Sequence, residues 1–113
     1  GQSALQNPFG PCGAEIILSG NVRHVILQHA PFRTHYEELE RPECRIPTVS
    51  QEIALLRAYR AETIAVALNA EGGSAEDLKT FQKRLGAELD IPVIRPLVEG
   101  LGQLRPRIRR LLG

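Results

Sequence analysis

The chain has 113 residues, of which 42% are hydrophobic and 24% charged, so it has the size and composition of one globular domain. Its net charge of +1 excludes a protein that binds nucleic acid through its overall charge. The two cysteines, Cys12 and Cys44, are too few for a disulfide framework and favour reduced thiols in a cytoplasmic protein. No apolar run approaches the roughly 20 residues that a membrane-spanning helix needs.

The first part of the chain predicts a loop, a short helix, a strand and a long loop. Residues 1–13, rich in Gly, Pro, Gln and Asn, predict an irregular loop. The apolar residues 14–18 predict a helix that ends at Gly20, with this glycine in the left-handed conformation. Residues 22–28 are β-branched and apolar and predict a buried strand. Residues 29–47 predict a long loop, a feature that is more often functional than idle.

The middle of the chain predicts two helices around a second strand. Thr48 is a favourable N-cap, and Glu52 lies near the position of its reciprocal capping partner, for a helix that runs to about Arg60. Residues 63–68 predict a second buried strand, and Ser74 predicts the N-cap of the next helix. The residues expected to face the core recur at intervals of three and four, namely Val49, Ile53 and Leu56 in the first helix and Leu78, Phe81, Leu85 and Leu89 in the second.

The end of the chain predicts a third strand and a final helix. Residues 91–94 predict the strand, and Pro106 suits the first turn of the helix. The four arginines within residues 105–110 have no aromatic residue among them, so they indicate a solvated helix end rather than a nucleic-acid contact.

Strands that alternate with helices predict a mainly parallel sheet, and near-continuous apolar strands predict helices on both of its faces. The expected fold is therefore an α/β three-layer sandwich, formed by residues 1–113 as a single domain or as the C-terminal portion of one. Ligands of such sheets bind beyond the carboxyl ends of the strands. The segments that begin at His29, Asn69 and Arg95 are the candidates.

The loop after the first predicted strand contains His29, Arg33 and His35. A guanidinium group matches the geometry of a carboxylate or phosphate, so anion binding by Arg33 is the favoured functional interpretation. A metal site would need a third and a fourth ligand at defined spacing, and no such set is evident, so no metal site is predicted. The alternative is a surface loop whose histidines are incidental.

The loop after the second predicted strand contains Asn69, Glu71 and Gly72. The Asn69 amide has donors and an acceptor and could pair with the edge of a nucleobase. The alternative is that Asn69 only closes the turn with its own backbone. Glu71 is a candidate general base, although a solvated carboxylate is the simpler interpretation, and no residue is assigned a catalytic role.

Three segments lie in the order expected of one known family. They are GQSAL at 1–5 with Asn7-Pro8, VILQHAPFRTHY at 25–36, and IAVALNAEGG at 64–73 followed by IPVIRPL at 91–97. Together they resemble the C-terminal P-loop domain of a large family long catalogued as of unknown function, whose characterised members include D-glutamate N-acetyltransferases. The sequence departs from the family pattern at Ser3-Ala4, Asn7 and Ala30.

The resemblance implies a dethiobiotin synthetase-like, P-loop NTPase-like fold that binds ATP or another nucleotide with Mg. By this likeness Asn69 reads the base, with Glu71 and Gly72 beside it. The residues implied on the phosphate or substrate side are Gly1, Gln2, Ser3, His29, Arg33 and His35.

The resemblance also implies that the chain is the C-terminal part of a nucleotide-dependent enzyme domain, one that acts in N-acyl transfer to an amino acid such as D-glutamate. The phosphate-loop pattern GxxxxGK[ST] does not occur in these residues, so we expect a fragment that is inactive when isolated. Its expected partners are a small nucleotide or anion, and the upstream part of the same polypeptide or a second copy, without nucleic acid or membrane. The alternatives are a non-catalytic nucleotide- or anion-binding regulatory module and a protein-interaction domain.

Overall fold

The computed structural model describes residues 13–32 and 48–112. No helix within these two ranges is both long and apolar enough to cross a membrane. The elements are, in chain order, α1 (Gly13–Ser19), β1 (His24–His29), α2 (Val49–Ala58), β2 (Glu62–Leu68), α3 (Ala75–Glu88), β3 (Val93–Ile94), α4 (Pro96–Glu99), a 3-10 turn (Gly102–Leu104) and α5 (Arg105–Leu112). Each predicted helix and strand is present, with ends that differ by one or two residues.

The sheet is parallel and has the order β1-β2-β3, so the predicted α/β class is confirmed. β2 is the central strand and is buried along most of its length. Its pairing with β1 shifts by one residue between Val25 and Ile26, which leaves Ile64 without a counterpart in β1. After this shift the side chains of β2 alternate between the two faces of the sheet.

Each face of the sheet has its own apolar cluster. Val66 and Leu68 of β2 belong to the larger cluster, to which α1, α2 and α3 contribute. Ala65 belongs to the smaller cluster, together with Ile94 of β3 and Leu104 of the 3-10 turn, and Ile108 of α5 packs against it. The helices therefore cover both faces, as expected for three layers.

The core-facing residues of α2 and α3 are largely those that the periodicity predicts. Val49 and Leu56 are buried in α2, and Ile53 packs against the same cluster. In α3, the predicted stripe divides into two buried residues, Leu78 and Leu85, and two partly buried ones, Phe81 and Leu89.

The N-termini of α2 and α3 are both capped by side chains. The Thr48 hydroxyl accepts a hydrogen bond from the Gln51 N–H, and the Gln51 side chain accepts one from the Thr48 N–H. Glu52 is near the reciprocal position, as predicted, but the partner itself is Gln51, one residue earlier, because the helix starts at Val49 and its third residue is Gln51. The Ser74 hydroxyl accepts from the Asp77 N–H, so the predicted cap of α3 is confirmed.

The C-termini of α1 and α2 share one backbone motif. The Val22 N–H donates to the Ile17 carbonyl at 3.0 Å, and the Ala61 N–H donates to the Leu56 carbonyl at 3.0 Å, which is the long bond of a Schellman motif. The left-handed residue of this motif is Asn21 (φ 51°) after α1 and Arg60 (φ 66°) after α2. The prediction that Gly20 is left-handed is therefore wrong, since α1 extends one residue further than the apolar pattern indicates.

β1 has a different environment from β2. It pairs with β2 on one side, and no strand among residues 13–32 and 48–112 pairs with its other side. Leu27 is buried in the larger cluster, whereas Ile26 on the other face is 44% exposed. β1 is thus an edge strand with a partly uncovered apolar face in the described part of the chain.

Candidate functional site

The carboxyl ends of β1 and β2 lie side by side. His29 is in register with Leu68, and the next residue, Asn69, donates its backbone N–H to the His29 carbonyl at 2.8 Å. Asn69 therefore follows the central parallel strand directly, which confirms its predicted position. Five other predicted site residues lie outside the described residues, namely Gly1, Gln2, Ser3, Arg33 and His35.

The Asn69 side chain closes a turn and keeps spare hydrogen-bonding capacity. Its Oδ1 accepts from the Glu71 N–H at 2.9 Å, and the Gly73 N–H donates to the Ala70 carbonyl at 3.1 Å. The turn-closing role named as the alternative is thus present, but it uses only one lone pair of Oδ1. The two Nδ2 hydrogens have no partner within residues 13–32 and 48–112, and a second lone pair of Oδ1 remains. The amide can therefore still donate and accept toward a ligand.

Two glycines give the loop after β2 its shape. Gly72 has φ 85°, a left-handed conformation that glycine adopts without steric cost. A Cβ added to Gly73 would overlap the ring of Phe32. The loops after β1 and β2 are therefore in direct contact, through a close approach that only glycine permits. The Gly-Gly pair in the sequence was the available signal for this contact, which the sequence analysis missed.

The His29 side chain lies between β1 and α3. Its ring stacks on Phe81, with centroids 5.9 Å apart, and the Arg84 guanidinium lies 5.2 Å from the centroid of the same Phe81 ring. Burial lowers the pKa of His29 below its ordinary value of 6.5, so the ring is neutral at pH 7. A neutral imidazole offers one donor and one acceptor to a substrate, and it contributes no positive charge.

The segment after β3 forms a polar network. The Glu99 carboxylate accepts from the Arg95 backbone N–H and Nε and from the Gln82 side chain, which also donates to the Val93 carbonyl at 2.9 Å. Desolvation raises the pKa of Glu99, but the hydrogen bonds from Gln82 and Arg95 and the Arg95 charge outweigh it and lower that pKa overall. Arg95 is neutralised by Glu99 at 3.1 Å, and the network ties α3 to α4.

The described part of the chain contains no evident set of metal ligands. Residues 13–32 and 48–112 contain no group of three or more His, Cys, Asp or Glu side chains that could hold an ion. What these residues bring together is an amide, a neutral imidazole and a glycine turn at adjacent strand ends.

The comparisons with known proteins decide the family. A family model described as "Domain of unknown function (DUF1611_C) P-loop domain" matches residues 1–105. The chain belongs to this P-loop domain family. The match spans every segment on which the resemblance rests and includes all the predicted site residues. No curated protein matches the chain, and no solved structure matches it.

The burial of His29 generates a prediction about stability. In the folded protein its pKa is lowered, whereas in the unfolded chain it takes the ordinary value near 6.5. Below about pH 6.5 the unfolded chain therefore binds more protons, and the free energy of unfolding falls as the pH drops toward the native pKa of His29. Urea denaturation at a series of pH values measures this. Between pH 7.5 and 5.5 the free energy of unfolding should fall less in His29→Gln than in the unmodified protein.

The matched control is His24→Gln, since His24 is an exposed residue at the other end of the same strand. It should leave the pH dependence of unfolding unchanged. An equal loss of stability in His29→Gln and the unmodified protein would show that the buried ring does not cause the dependence.

Proposed function

We propose that this chain forms the base-binding part of a nucleotide-dependent P-loop enzyme domain that acts in N-acyl transfer to an amino acid. The observation that carries the proposal is the Asn69 amide at the carboxyl end of the central strand, whose Nδ2 donors and second Oδ1 lone pair are not used by any residue of 13–32 or 48–112. Ligands of parallel sheets bind at this edge. A family of P-loop domains is one in which a nucleotide is the expected ligand.

The chemistry of the amide favours adenine, and hence ATP, as the nucleotide. An Asn side chain can donate to the N7 acceptor of adenine and accept from the adenine N6 amino group, in one planar pair. The turn fixes the Asn69 amide through the 2.9 Å bond from the Glu71 N–H, so its orientation is set before the base arrives. Gly72 and the contact between Gly73 and Phe32 hold the loop close to the strand end.

The phosphate side of the proposal rests on the family resemblance. It assigns Gly1, Gln2, Ser3, His29, Arg33 and His35 to the phosphates or the substrate, with Mg bound along with the nucleotide. Residues 13–32 and 48–112 supply no metal cluster, and the sequence has no GxxxxGK[ST] loop. Phosphoryl transfer depends almost entirely on such positioning and charge neutralisation. We therefore expect the isolated chain to bind a nucleoside without turnover of ATP or acetylation of an amino acid.

The acyl-transfer part follows from the likeness to D-glutamate N-acetyltransferases. An amino-acid substrate brings a carboxylate, which the guanidinium of Arg33 suits. We also propose a cytoplasmic location, because nucleotides are available there and because two cysteines, Cys12 and Cys44, are too few for the disulfide framework of a secreted domain.

Asn69→Asp separates base reading from turn closure. Asp keeps a side-chain oxygen that can accept from the Glu71 N–H, so the turn survives, but it lacks the two Nδ2 donors. With adenosine as the ligand, no phosphate charge can repel the new carboxylate. Calorimetric titration should show adenosine binding at least about tenfold weaker for Asn69→Asp, a loss of about 1.4 kcal/mol.

The control is Asn21→Asp, which makes the same change at the opposite end of the sheet. It should leave adenosine affinity within about twofold, well inside the 1.4 kcal/mol that a tenfold change represents. Adenosine binding that is equal in Asn69→Asp and the unmodified chain would contradict the base-reading role.

We further propose that β1 pairs with another strand, supplied by the upstream part of the same polypeptide or, in the isolated chain, by a second copy. Two observations support this: no strand of the described residues pairs with the outer edge of β1, and Ile26 is 44% exposed. Exposed edge strands tend to pair with another chain. Ile16 and Leu18 of α1 add exposed apolar surface, at 63% and 66%.

Light scattering across a dilution series tests the pairing. The unmodified chain should pass from a dimer to a monomer on dilution, and Ile26→Lys should stay monomeric because a charge on this strand opposes pairing. The control Leu97→Lys places the same charge on a residue of α4 that is 98% exposed and should still dimerise. A single monomeric mass for the unmodified chain at high concentration would overturn the proposal.

A further inference from the structure

A cleft lies at the opposite end of the sheet from Asn69. Arg23 immediately precedes β1 and Arg60 lies two residues before β2, so both are at the amino ends of parallel strands. A strand of six residues separates the two ends by roughly 20 Å. The cleft has a volume of about 320 Å³, and the described residues that line it are Leu18, Asn21, Arg23, Ala58, Tyr59 and Arg60.

The charge of this cleft is uncompensated in the described part of the chain. Arg23 and Arg60 are both exposed, and the guanidinium of neither makes an ion pair or a hydrogen bond with residues 13–32 or 48–112. No carboxylate is among the described lining residues. Two positive charges from separate loops therefore line one small cleft, whereas Arg95 at the other end is neutralised by Glu99.

The backbone beneath the two arginines is held by hydrogen bonds. The Schellman bonds that end α1 and α2 fix Asn21 and Arg60, and the Glu62 N–H donates to the Arg23 carbonyl at 2.7 Å. The last bond joins the two loops directly. The positions from which the guanidinium groups extend are thus set by the ends of both helices and by the sheet.

Arg60 occupies a backbone position that glycine normally fills. Its φ of 66° is left-handed, and a side chain with a Cβ adopts this conformation at a steric cost that glycine avoids. Residues in such strained backbone conformations are concentrated at functional sites, so the conformation of Arg60 supports a binding role for its side chain. Arg60 lines the cleft beside Arg23, as does Asn21, the left-handed residue of the other motif.

We propose that this cleft binds the phosphate group of a small molecule, at a site separate from that of Asn69. Two guanidinium groups balance the two negative charges of a phosphate and match its oxygens in bidentate geometry. Leu18 and Ala58 are the apolar lining residues that suit the uncharged part of the ligand, and Tyr59, which also lines the cleft, has a hydroxyl that can donate a hydrogen bond. A cleft of this size suits a small metabolite rather than a polymer.

Calorimetric titration with inorganic phosphate, at constant ionic strength, tests the site in the full 113-residue chain. The unmodified protein should bind phosphate saturably, and Arg23→Gln and Arg60→Gln should each weaken binding at least about tenfold, because each removes charged hydrogen bonds to the anion. Arg57→Gln is the matched control, since it removes the same charge from the last turn of α2 without touching the cleft. It should change the affinity less than about twofold, against the tenfold expected of the cleft variants.

Arg60→Gly shows whether the arginine is kept for binding or for the fold. It should raise the melting temperature, because it removes the left-handed strain, and it should still weaken phosphate binding at least about tenfold, as Arg60→Gln does. Asn69→Asp should bind phosphate normally, which separates this site from the proposed nucleotide site.

Four results would overturn the proposal. They are the absence of saturable phosphate binding, an equal loss of affinity in Arg57→Gln and Arg60→Gln, full phosphate binding by Arg60→Gly, and, in a parallel titration with the dicarboxylate succinate, tighter binding of succinate than of phosphate. An equal loss of affinity in Arg57→Gln and Arg60→Gln would mean that the arginines act only on the negative ends of the helix dipoles. In that case they would contribute to stability and would not form a specific binding site.

Discussion

Burial of the central strand β2 on both faces is the constraint from which the rest of the structure follows. Ala65 and Val66 are fully buried on opposite faces, one against the 3-10 turn and α5 and the other against α1, α2 and α3. A strand covered on both sides cannot expose its backbone to water, so its N–H and C=O groups must pair with neighbours. β1 and β3 supply that pairing in parallel, with helices as the crossovers.

Parallel pairing then determines where polar groups can gather. The carboxyl ends of β1 and β2 coincide, and the bond from the Asn69 N–H to the His29 carbonyl continues the ladder one residue beyond β2. The chain must turn there, and Asn69 closes the turn while Gly72 supplies the left-handed step. The same geometry brings the loops before β1 and β2 together at the other end, where Arg23 and Arg60 share a cleft. The two ends of the parallel strands thus carry chemically different groups.

Much of this could be predicted from the sequence, because the signals are local. The apolar runs correctly predicted β1 and β2. The spacing of Leu78 and Leu85 predicted the buried face of α3, and Ser74 predicted its N-cap. The left-handed position was misplaced at Gly20 because composition favours glycine, whereas the position of the helix end selects Asn21. Contacts between distant residues could not be predicted in this way. The packing of Phe32 on Gly73, and the stacking of His29 on Phe81, depend on which loops and helices the fold makes neighbours.

The central claim is that the Asn69 amide reads a base, and nuclear magnetic resonance tests it directly. In a titration of the isotope-labelled chain with adenosine, the side-chain amide signals of Asn69 and the backbone signals of Glu71, Gly72 and Gly73 should shift together and saturate. The side-chain amide of Asn21, at the other end of the sheet, is the internal reference and should not move. Adenosine that leaves the Asn69 side-chain signals in place, or that shifts those of Asn21 equally, would contradict the account.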